Sequence, residues 1–196
     1  MKNIVFDLGN VLFRFDPKEI LDDLFEEELI KKKIIKDVFK TKIWADLDRG
    51  TISYNDACRI WLNNNPDLKG ELMLLLENWH KYLTPIEENI SFLYRLKSKG
   101  KNLYVLSNFH EHAFNYIRTH YSFFELFDGM VISYQVKLLK PEKEIYNLLI
   151  ENYNLIPEQT IFIDDSLENV KAAEEVGIKG ILYLNSEELY KQLDGL

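Results

Sequence analysis

Short apolar segments alternate with amphipathic helical segments over the second half of this chain, and this alternation restricts the fold more than any other feature. Apolar runs of strand length occur at residues 103–106, 130–132, 161–163 and 180–184. Helical patterns lie between and beside them, at residues 86–98, 142–153 and 167–176. Continuous apolar strands separated by amphipathic helices are typical of a parallel sheet that is covered on both faces. The predicted fold class is therefore α/β, with a three-layer, Rossmann-like parallel sheet.

A long segment of different character separates the first predicted strand from the rest of the sheet. The apolar run at residues 4–6 predicts that first strand, whereas residues 15–84 carry charged helical patterns and no convincing strand. Helices are predicted there at residues 17–40, from the N-cap Ser53 to about residue 63, and at residues 69–82. The economical interpretation is an α/β core formed by residues 1–14 and 85–196, with residues 15–84 inserted as an all-helical cap.

The composition disfavours several classes of protein. The formal net charge of -8 argues against non-specific binding of nucleic acid, which requires a basic face. No apolar stretch approaches the roughly 18 residues of a membrane span, and the start of the chain does not resemble a signal peptide. Cys58 is the single cysteine, so a disulfide framework or a thiolate zinc site is not expected. We therefore expect a cytoplasmic protein without nucleic-acid or membrane partners.

Polar side chains follow the predicted strands at the points where the strands end. Asp7 follows the first strand, Ser107 and Asn108 follow the second, and Asp164 and Asp165 follow a later one. In an open α/β sheet, ligands bind just outside the carboxyl ends of the parallel strands. Each residue has an ordinary structural explanation, as a turn residue or as a helix cap. Together they predict a polar site at one edge of the sheet.

The charges at this edge indicate which chemistry it suits. Lys140 precedes a helix near the same edge, although a lysine is most often a solvated surface charge. Crowded carboxylates repel one another unless a cation compensates them. Asp7 and Asp165 offer the hard oxygen ligands that suit Mg²⁺, while a lysine and a hydroxyl can bind phosphate oxygens. The combination predicts phosphoryl transfer.

Four ordered sequence blocks resemble the haloacid dehalogenase-like hydrolase superfamily. They are FDLGNVL at residues 6–12, VLSN at 105–108, KPEKEIY at 140–146 and FIDDSLENV at 162–170. The first block and the inserted helical cap are most similar to the subgroup that contains bacterial α-D-glucose-1-phosphate phosphatases. The resemblance implies a magnesium-dependent phosphatase that acts on small phosphorylated metabolites, with sugar phosphates such as glucose-1-phosphate foremost.

The resemblance also implies roles for individual residues. Asp7 aligns with the nucleophile that forms an aspartyl-phosphate, which splits one difficult displacement into two easier ones. Ser107 aligns with the hydroxyl that binds the transferring phosphoryl group, and Asn108 lies beside it as a second substrate-binding candidate. Lys140 aligns with the lysine that neutralises charge on the nucleophile and on the phosphate.

The implied metal site combines side chains from both ends of the chain. Asp165 aligns with the acidic ligand of the last block, so Mg²⁺ is expected to bridge Asp7, Asp165 and the carbonyl of Gly9. Asp164 is a weaker candidate for direct or water-mediated contact with the metal. Asn169 stands where many members carry a further carboxylate.

Gly9 is the main departure from the pattern of the superfamily. Most of its phosphatases carry an aspartate two residues after the nucleophile, which protonates the leaving alcohol and later activates water. General acid–base assistance is typically worth about 10²–10⁴ in rate. Three outcomes stay open: a good leaving group, another proton donor (His110, His112 and Asp16 are the nearest in sequence), or a weak or inactive phosphate- or metal-binding domain. We favour a phosphatase of weak to moderate activity, because the nucleophile, hydroxyl, lysine and metal aspartate are all present.

Overall fold

Five parallel strands form the central sheet of this protein, as a computed structural model shows. The structure describes residues 1–193, so residues 194–196 at the end of the predicted core range lie outside it. The strands in chain order are β1 (Asn3–Phe6), β2 (Phe13–Arg14), β3 (Thr84–Pro85), β4 (Asn102–Ser107), β5 (Gly129–Ile132), β6 (Thr160–Asp164) and β7 (Lys179–Leu182). The sheet order is β5-β4-β1-β6-β7, whereas β2 and β3 form a separate two-stranded antiparallel ribbon.

The first strand lies at the centre of the sheet and is buried on both faces. All of β1 is buried, and it pairs in parallel register with β4 on one side and β6 on the other. Successive side chains of a strand point to opposite faces. Val5 accordingly belongs to the apolar cluster on one face, and Phe6 to the larger cluster that also includes Trp61 from the helical insertion. A continuous apolar run fits such a strand, which explains why the sequence pattern located it.

Five α-helices occupy the segment between the two strands of the β2–β3 ribbon. They are α1 (Pro17–Leu24), α2 (Glu28–Ile34), α3 (Lys42–Arg49), α4 (Tyr54–Asn64) and α5 (Lys69–Asn78). The N-cap at Ser53 is confirmed, because its side chain accepts a hydrogen bond from the backbone N–H of Asp56. The chain leaves and re-enters the sheet region through the same ribbon. Residues 15–84 therefore lie where the cap is expected, and their assignment to a separate domain stays a prediction.

Two predictions about this helical segment are wrong in detail. A single helix over residues 17–40 does not form, because Phe25 is extended and packs against the core, which ends α1 at Leu24. The helical path resumes at Glu28 and finishes in a π-helical turn at Ile35–Phe39. The predicted absence of a strand within residues 15–84 is also wrong at its last residue, since Thr84 pairs with Arg14 in the ribbon.

Helices cover the sheet on both faces, as the alternating pattern predicts. They are α6 (Glu87–Ser98), α7 (Glu111–His120), α8 (Ser133–Val136), α9 (Lys143–Tyr153), α10 (Leu167–Glu175) and α11 (Ser186–Leu193). The predicted α/β fold class is confirmed. Within residues 1–193, no helix is both long enough and apolar enough to cross a membrane.

Candidate active site

Asp7 lies directly after the central strand, where the backbone turns. Its N–H donates to the carbonyl of Ile163 at 2.9 Å, which continues the β1–β6 pairing by one residue. The carbonyl of Leu8 then accepts hydrogen bonds from the N–H groups of Leu12 and Phe13, both at 2.8 Å. This tight turn fixes the carboxylate at the carboxyl edge of the sheet, where it is only 8% exposed.

The Asp7 carboxylate is held by a hydroxyl and an ammonium group. The Ser107 hydroxyl donates to Asp7 Oδ1 at 2.6 Å, and Lys140 Nζ lies 2.8 Å from the same oxygen. Both contacts use Oδ1, so Asp7 Oδ2 has no hydrogen bond from the residues that the structure describes. The carboxylate is therefore fixed through one oxygen, and the other oxygen is available to attack an electrophile.

Lys140 is buried and uses its ammonium group fully. Its Nζ also contacts Asp164 Oδ2 at 2.6 Å and the carbonyl of Leu106 at 3.0 Å. An ammonium group has three N–H donors, which match these two acceptors and Asp7. The backbone of Lys140 is fixed by Asn108, whose side-chain amide accepts from its N–H at 2.8 Å and donates to its carbonyl at 3.0 Å. Asn108 therefore fixes the backbone of the loop that carries Lys140. Its predicted contact with substrate stays a prediction.

Asp164 and Asp165 have different surroundings although they are adjacent in sequence. Asp164 is buried, and besides Lys140 it accepts hydrogen bonds from the Ser166 N–H at 2.8 Å and from Asn169 Nδ2 at 3.0 and 3.1 Å. Asp165 is exposed and receives one hydrogen bond, from Asn10 Nδ2 at 3.2 Å. Asp165 therefore has fewer hydrogen-bond partners than Asp164, whereas Asp164 orients the lysine.

Three carboxylates converge closely enough to share a cation. One oxygen from each of Asp7, Asp164 and Asp165 lies within 4.8 Å of the others. Oxygen ligands of this kind match the preference of Mg²⁺ for a few carboxylates. The donor set therefore fits the predicted metal ion.

The electrostatics of the site follow from its burial. Burial raises the pKa of Asp7 from 3.8 to about 6; the charge of Lys140 opposes this shift and the charge of Asp164 adds to it. Burial acts to lower the pKa of Lys140, but attraction to both carboxylates outweighs it and leaves that pKa raised. The site holds more negative charge than its lysine can balance, which favours the binding of a cation.

A cavity of about 90 Å³ lies between the sheet edge and the helical segment, next to the turn that follows Asp7. Its walls are formed by Gly9, Phe15, Trp44, Asp48, Trp79, Leu83, Asn108, Phe109 and His110. Asp48, on α3, is partly buried; burial raises its pKa to about 7, and the nearby charge of Asp7 adds to this shift. Asp48 is not among the site residues predicted from the sequence.

The three proton donors suggested by the sequence lie in different places. His110 lines the cavity, and burial lowers its pKa to about 3, so its imidazole is neutral at neutral pH. His112 stacks on Tyr54 at 4.1 Å and lines a separate outer cleft of about 480 Å³. Asp16 is exposed and caps α1 by accepting from the Lys18 N–H at 2.8 Å. Of the three, His110 alone borders the cavity beside Asp7.

The end of α3 is docked onto the part of the core that carries Lys140. Arg49 pairs with Glu142, with one contact at 3.0 Å, and donates to the carbonyl of Lys137 at 3.2 Å. Lys137 Nζ in turn donates to the carbonyl of Gly50. Arg49 and Glu142 therefore form an ion pair between the helical segment and the core.

Gly50 makes this close approach possible, and replacing it with alanine is expected to destabilise the protein. Gly50 has φ of 70°, and a Cβ there would lie 2.5 Å from the carbonyl oxygen of Tyr134. The left-handed backbone alone costs an L-residue roughly 1–2 kcal/mol, so with the clash we expect Gly50→Ala to lower the free energy of unfolding by about 3 kcal/mol. Gly100→Ala is the matched control in urea unfolding, because Gly100 has φ of 74° with no atom within 4 Å of its Cβ position. Equal losses in the two variants would contradict the docking role.

Comparison with known proteins agrees with this geometry. A family model for haloacid dehalogenase-like hydrolases matches residues 1–177. The chain belongs to this family. A sesquiterpene phosphatase of Aspergillus oryzae is 30% identical over 92% of this chain and 88% of its own length. A D-ribitol-5-phosphate phosphatase of Bacteroides thetaiotaomicron is 26% identical over 91% of this chain and 90% of its own length.

Solved structures share the fold of this family member. A haloacid dehalogenase-family enzyme of Bacteroides thetaiotaomicron superposes with a TM-score of 0.80 at 22% identity, covering 98% of both chains. The same enzyme, in complex with magnesium and inorganic phosphate, gives a TM-score of 0.74 at 23% identity over 94% of both chains. The predicted superfamily and the predicted hydrolase class are confirmed.

Proposed function

We propose that this chain is a magnesium-dependent phosphatase that forms an aspartyl-phosphate on Asp7. The observation that carries the proposal is the fixed carboxylate of Asp7, held through Oδ1 by Ser107 and Lys140 at the edge of the sheet. A carboxylate held in this way is preorganised for in-line attack on phosphorus, since its orientation is set before substrate binds. The phosphatase relatives in two organisms support the same chemistry.

The residues that would hold Mg²⁺ are Asp7, Asp165 and the carbonyl of Gly9. Asp164 approaches the same point, but Lys140, Ser166 and Asn169 already occupy its oxygens. When bound, the metal neutralises negative charge on the transferring phosphoryl group. The solved relative with bound magnesium and phosphate supports this assignment.

The surrounding side chains supply the remaining contacts to phosphate. Lys140 lies 2.8 Å from Asp7, so its charge is placed to attract a phosphoryl group that approaches the nucleophile. The Ser107 hydroxyl, beside the same carboxylate oxygen, can donate to a phosphoryl oxygen instead. Both groups stabilise negative charge where it develops during transfer.

We further propose small phosphorylated metabolites as substrates, with sugar phosphates such as glucose-1-phosphate foremost. The relative that acts on D-ribitol 5-phosphate supports this class. The rings of Trp44 and Trp79 form part of the cavity wall, where an aromatic face can pack against a sugar ring and exclude water.

A panel of phosphorylated compounds tests the proposal. Phosphate release should require Mg²⁺, stop when EDTA is added, and be fastest with glucose-1-phosphate. The panel should include other sugar phosphates and an apolar alcohol monophosphate, because aromatic walls also suit an apolar group. A higher kcat/KM for the apolar ester would overturn the sugar-phosphate assignment while leaving the phosphatase in place.

Asp165→Asn should raise the Mg²⁺ concentration needed for half-maximal activity by at least about tenfold. Even the loss of a residue that only hydrogen-bonds to a metal ligand typically lowers metal affinity or activity by about 10–100-fold. Lys140 pairs with Asp7 and Asp164 and not with Asp165, so the loss of Asp165 removes a metal ligand and leaves the lysine network intact. Glu168→Gln, an exposed change on α10, is the matched control and should leave the magnesium dependence unchanged. The same magnesium dependence in both variants would contradict the assignment.

A second candidate function is a phosphate- or metal-binding domain without turnover. The observation in its favour is Gly9, which offers no acid where most phosphatases of the superfamily carry one. This candidate predicts binding of Mg²⁺ and inorganic phosphate by calorimetry with no phosphate released from any member of the panel.

A further inference from the structure

The position two residues after the nucleophile is open space in this protein. A Cβ built on Gly9 would have no atom within 4 Å. Gly9 also forms part of the wall of the 90 Å³ cavity between the sheet edge and the helical segment. The turn after β1 therefore contributes no proton donor, although there is room for one.

The cavity has another carboxylate, which comes from the opposite wall. Asp48 is the only acidic residue among the described residues that line it, and His110 is the only other titratable one. His110 is neutral at neutral pH and is a weak acid in that form. The cavity thus has one carboxyl group available to exchange a proton with substrate.

The backbone of Asp48 is anchored to the core, so its position on the cavity wall is built into the fold. The Ser133 hydroxyl donates to the carbonyl of Asp48, and the same hydroxyl accepts from the Phe109 N–H at 2.9 Å. Arg49 and Gly50, the next two residues, are bound to the core segment that leads to Lys140. Contacts of Asp48 itself and of the next two residues with the core therefore fix Asp48 at the cavity wall.

We infer that Asp48 is the general acid and base of the reaction. It replaces the aspartate that most phosphatases of the superfamily carry at the position of Gly9. This inference rests on the proposed phosphatase function and deepens it. Protonated Asp48 gives its proton to the leaving alcohol oxygen while the bond from phosphorus to that oxygen breaks and a bond from Asp7 to phosphorus forms. The Asp48 carboxylate then takes a proton from water while the water oxygen bonds to phosphorus and the bond to Asp7 breaks. Inorganic phosphate leaves, and both aspartates return to their starting states.

The surroundings of Asp48 are consistent with both halves of this cycle. A group that acts first as acid and then as base works best when its pKa lies near the working pH. Burial brings the pKa of Asp48 into that range. An exposed aspartate, in contrast, would be ionised and unable to protonate an alkoxide.

First-turnover kinetics of Asp48→Asn test the inference with two probes, glucose-6-phosphate and p-nitrophenyl phosphate. The first probe has a poor alcohol leaving group that needs a proton, whereas p-nitrophenolate leaves without one. We expect the first turnover of glucose-6-phosphate to slow by about 10²–10⁴-fold. The first turnover of p-nitrophenyl phosphate should stay within about tenfold of wild type, as a burst followed by slow steady-state release. The aspartyl-phosphate on Asp7 should accumulate and be detectable by mass spectrometry, because the base that activates water is absent.

Two further variants make the test specific. Asp46→Asn is the matched control on the same helix, since Asp46 pairs with Lys42 at 2.6 Å at the surface, and it should keep wild-type kinetics. Gly9→Asp added to Asp48→Asn should restore glucose-6-phosphate turnover by at least about tenfold, because the acid returns at a position with space for it.

The outcomes separate this inference from the function on which it rests. Equal slowing of both probes, or no accumulation of phosphoenzyme, would show that Asp48 does not transfer protons, while the phosphatase activity stands. No turnover of either probe by the wild-type protein would overturn the proposed function and the role of Asp48 with it.

Discussion

Replacing Asp7 with asparagine is expected to lower kcat/KM by at least about 10³-fold, the scale on which loss of a catalytic nucleophile acts. The amide oxygen can keep the Oδ1 position, where it accepts the hydrogen bond from Ser107 and faces Lys140. The variant should therefore keep the geometry of the site and lose its nucleophile. Phosphate release from p-nitrophenyl phosphate in Mg²⁺ measures the effect, and Asp46→Asn serves as the active control. Turnover within tenfold of wild type would contradict covalent catalysis by Asp7.

The same variant should unfold at a higher temperature than wild type at neutral pH when metal is absent. Burial raises the pKa of Asp7 from 3.8 to about 6, so the folded state disfavours the ionised carboxylate. The contribution of Asp7 to folding stability is therefore fully present below about pH 4 and is lost as the pH rises through about 6. Asparagine does not titrate, so the difference in unfolding temperature should be small at pH 4 and grow toward pH 7. A variant less stable than wild type at pH 7 in EDTA would contradict this sign.

The sheet and the polar edge could be predicted from the sequence because both depend on local patterns and one topological rule. Apolar runs locate the strands, and parallel strands bring the residues at their carboxyl ends to one edge. Asp7, Ser107 and Asp164 meet for this reason, since Asp7 directly follows β1 and the other two residues end the neighbouring strands β4 and β6. Lys140 lies on no strand, and the sequence connects it with the site only because it precedes a helix near the same edge.

Asp48 could not be found in this way, because its position depends on how the helical segment docks. The contacts of Arg49 with Glu142 and of Ser133 with the backbone of Asp48 join residues 85 to 93 positions apart. No helical period indicates which polar residue of α3 faces the cavity. The break at Phe25 was missed for a related reason, since burial of its ring against the core overrides the local helical pattern.

Lys140→Met is expected to lower the free energy of unfolding by about 3–5 kcal/mol at pH 8 in the absence of metal. The ammonium group is buried between Asp7 at 2.8 Å and Asp164 at 2.6 Å, so methionine leaves two buried carboxylates without a cation. Removal of one partner of a buried ion pair is costly because the remaining charge is neither solvated nor paired. Urea unfolding in EDTA measures the loss. Lys143→Met is the matched control, because its pair with Glu175 at 2.8 Å is exposed to solvent and should contribute little to stability.

The free energy of unfolding that is lost in Lys140→Met should be partly recovered when the negative charge at the site is lowered. Adding Asp7→Asn to Lys140→Met leaves one buried carboxylate instead of two, so the double variant should be more stable than Lys140→Met alone. It also provides a measurable protein if the single variant does not fold. Mg²⁺ should recover part of the stability of Lys140→Met, because a second cation can replace the missing one beside Asp7 and Asp164. Equal stability of Lys140→Met and Lys143→Met would show instead that the lysine does not compensate the carboxylates. The excess negative charge that attracts a metal would then have to be balanced by other groups.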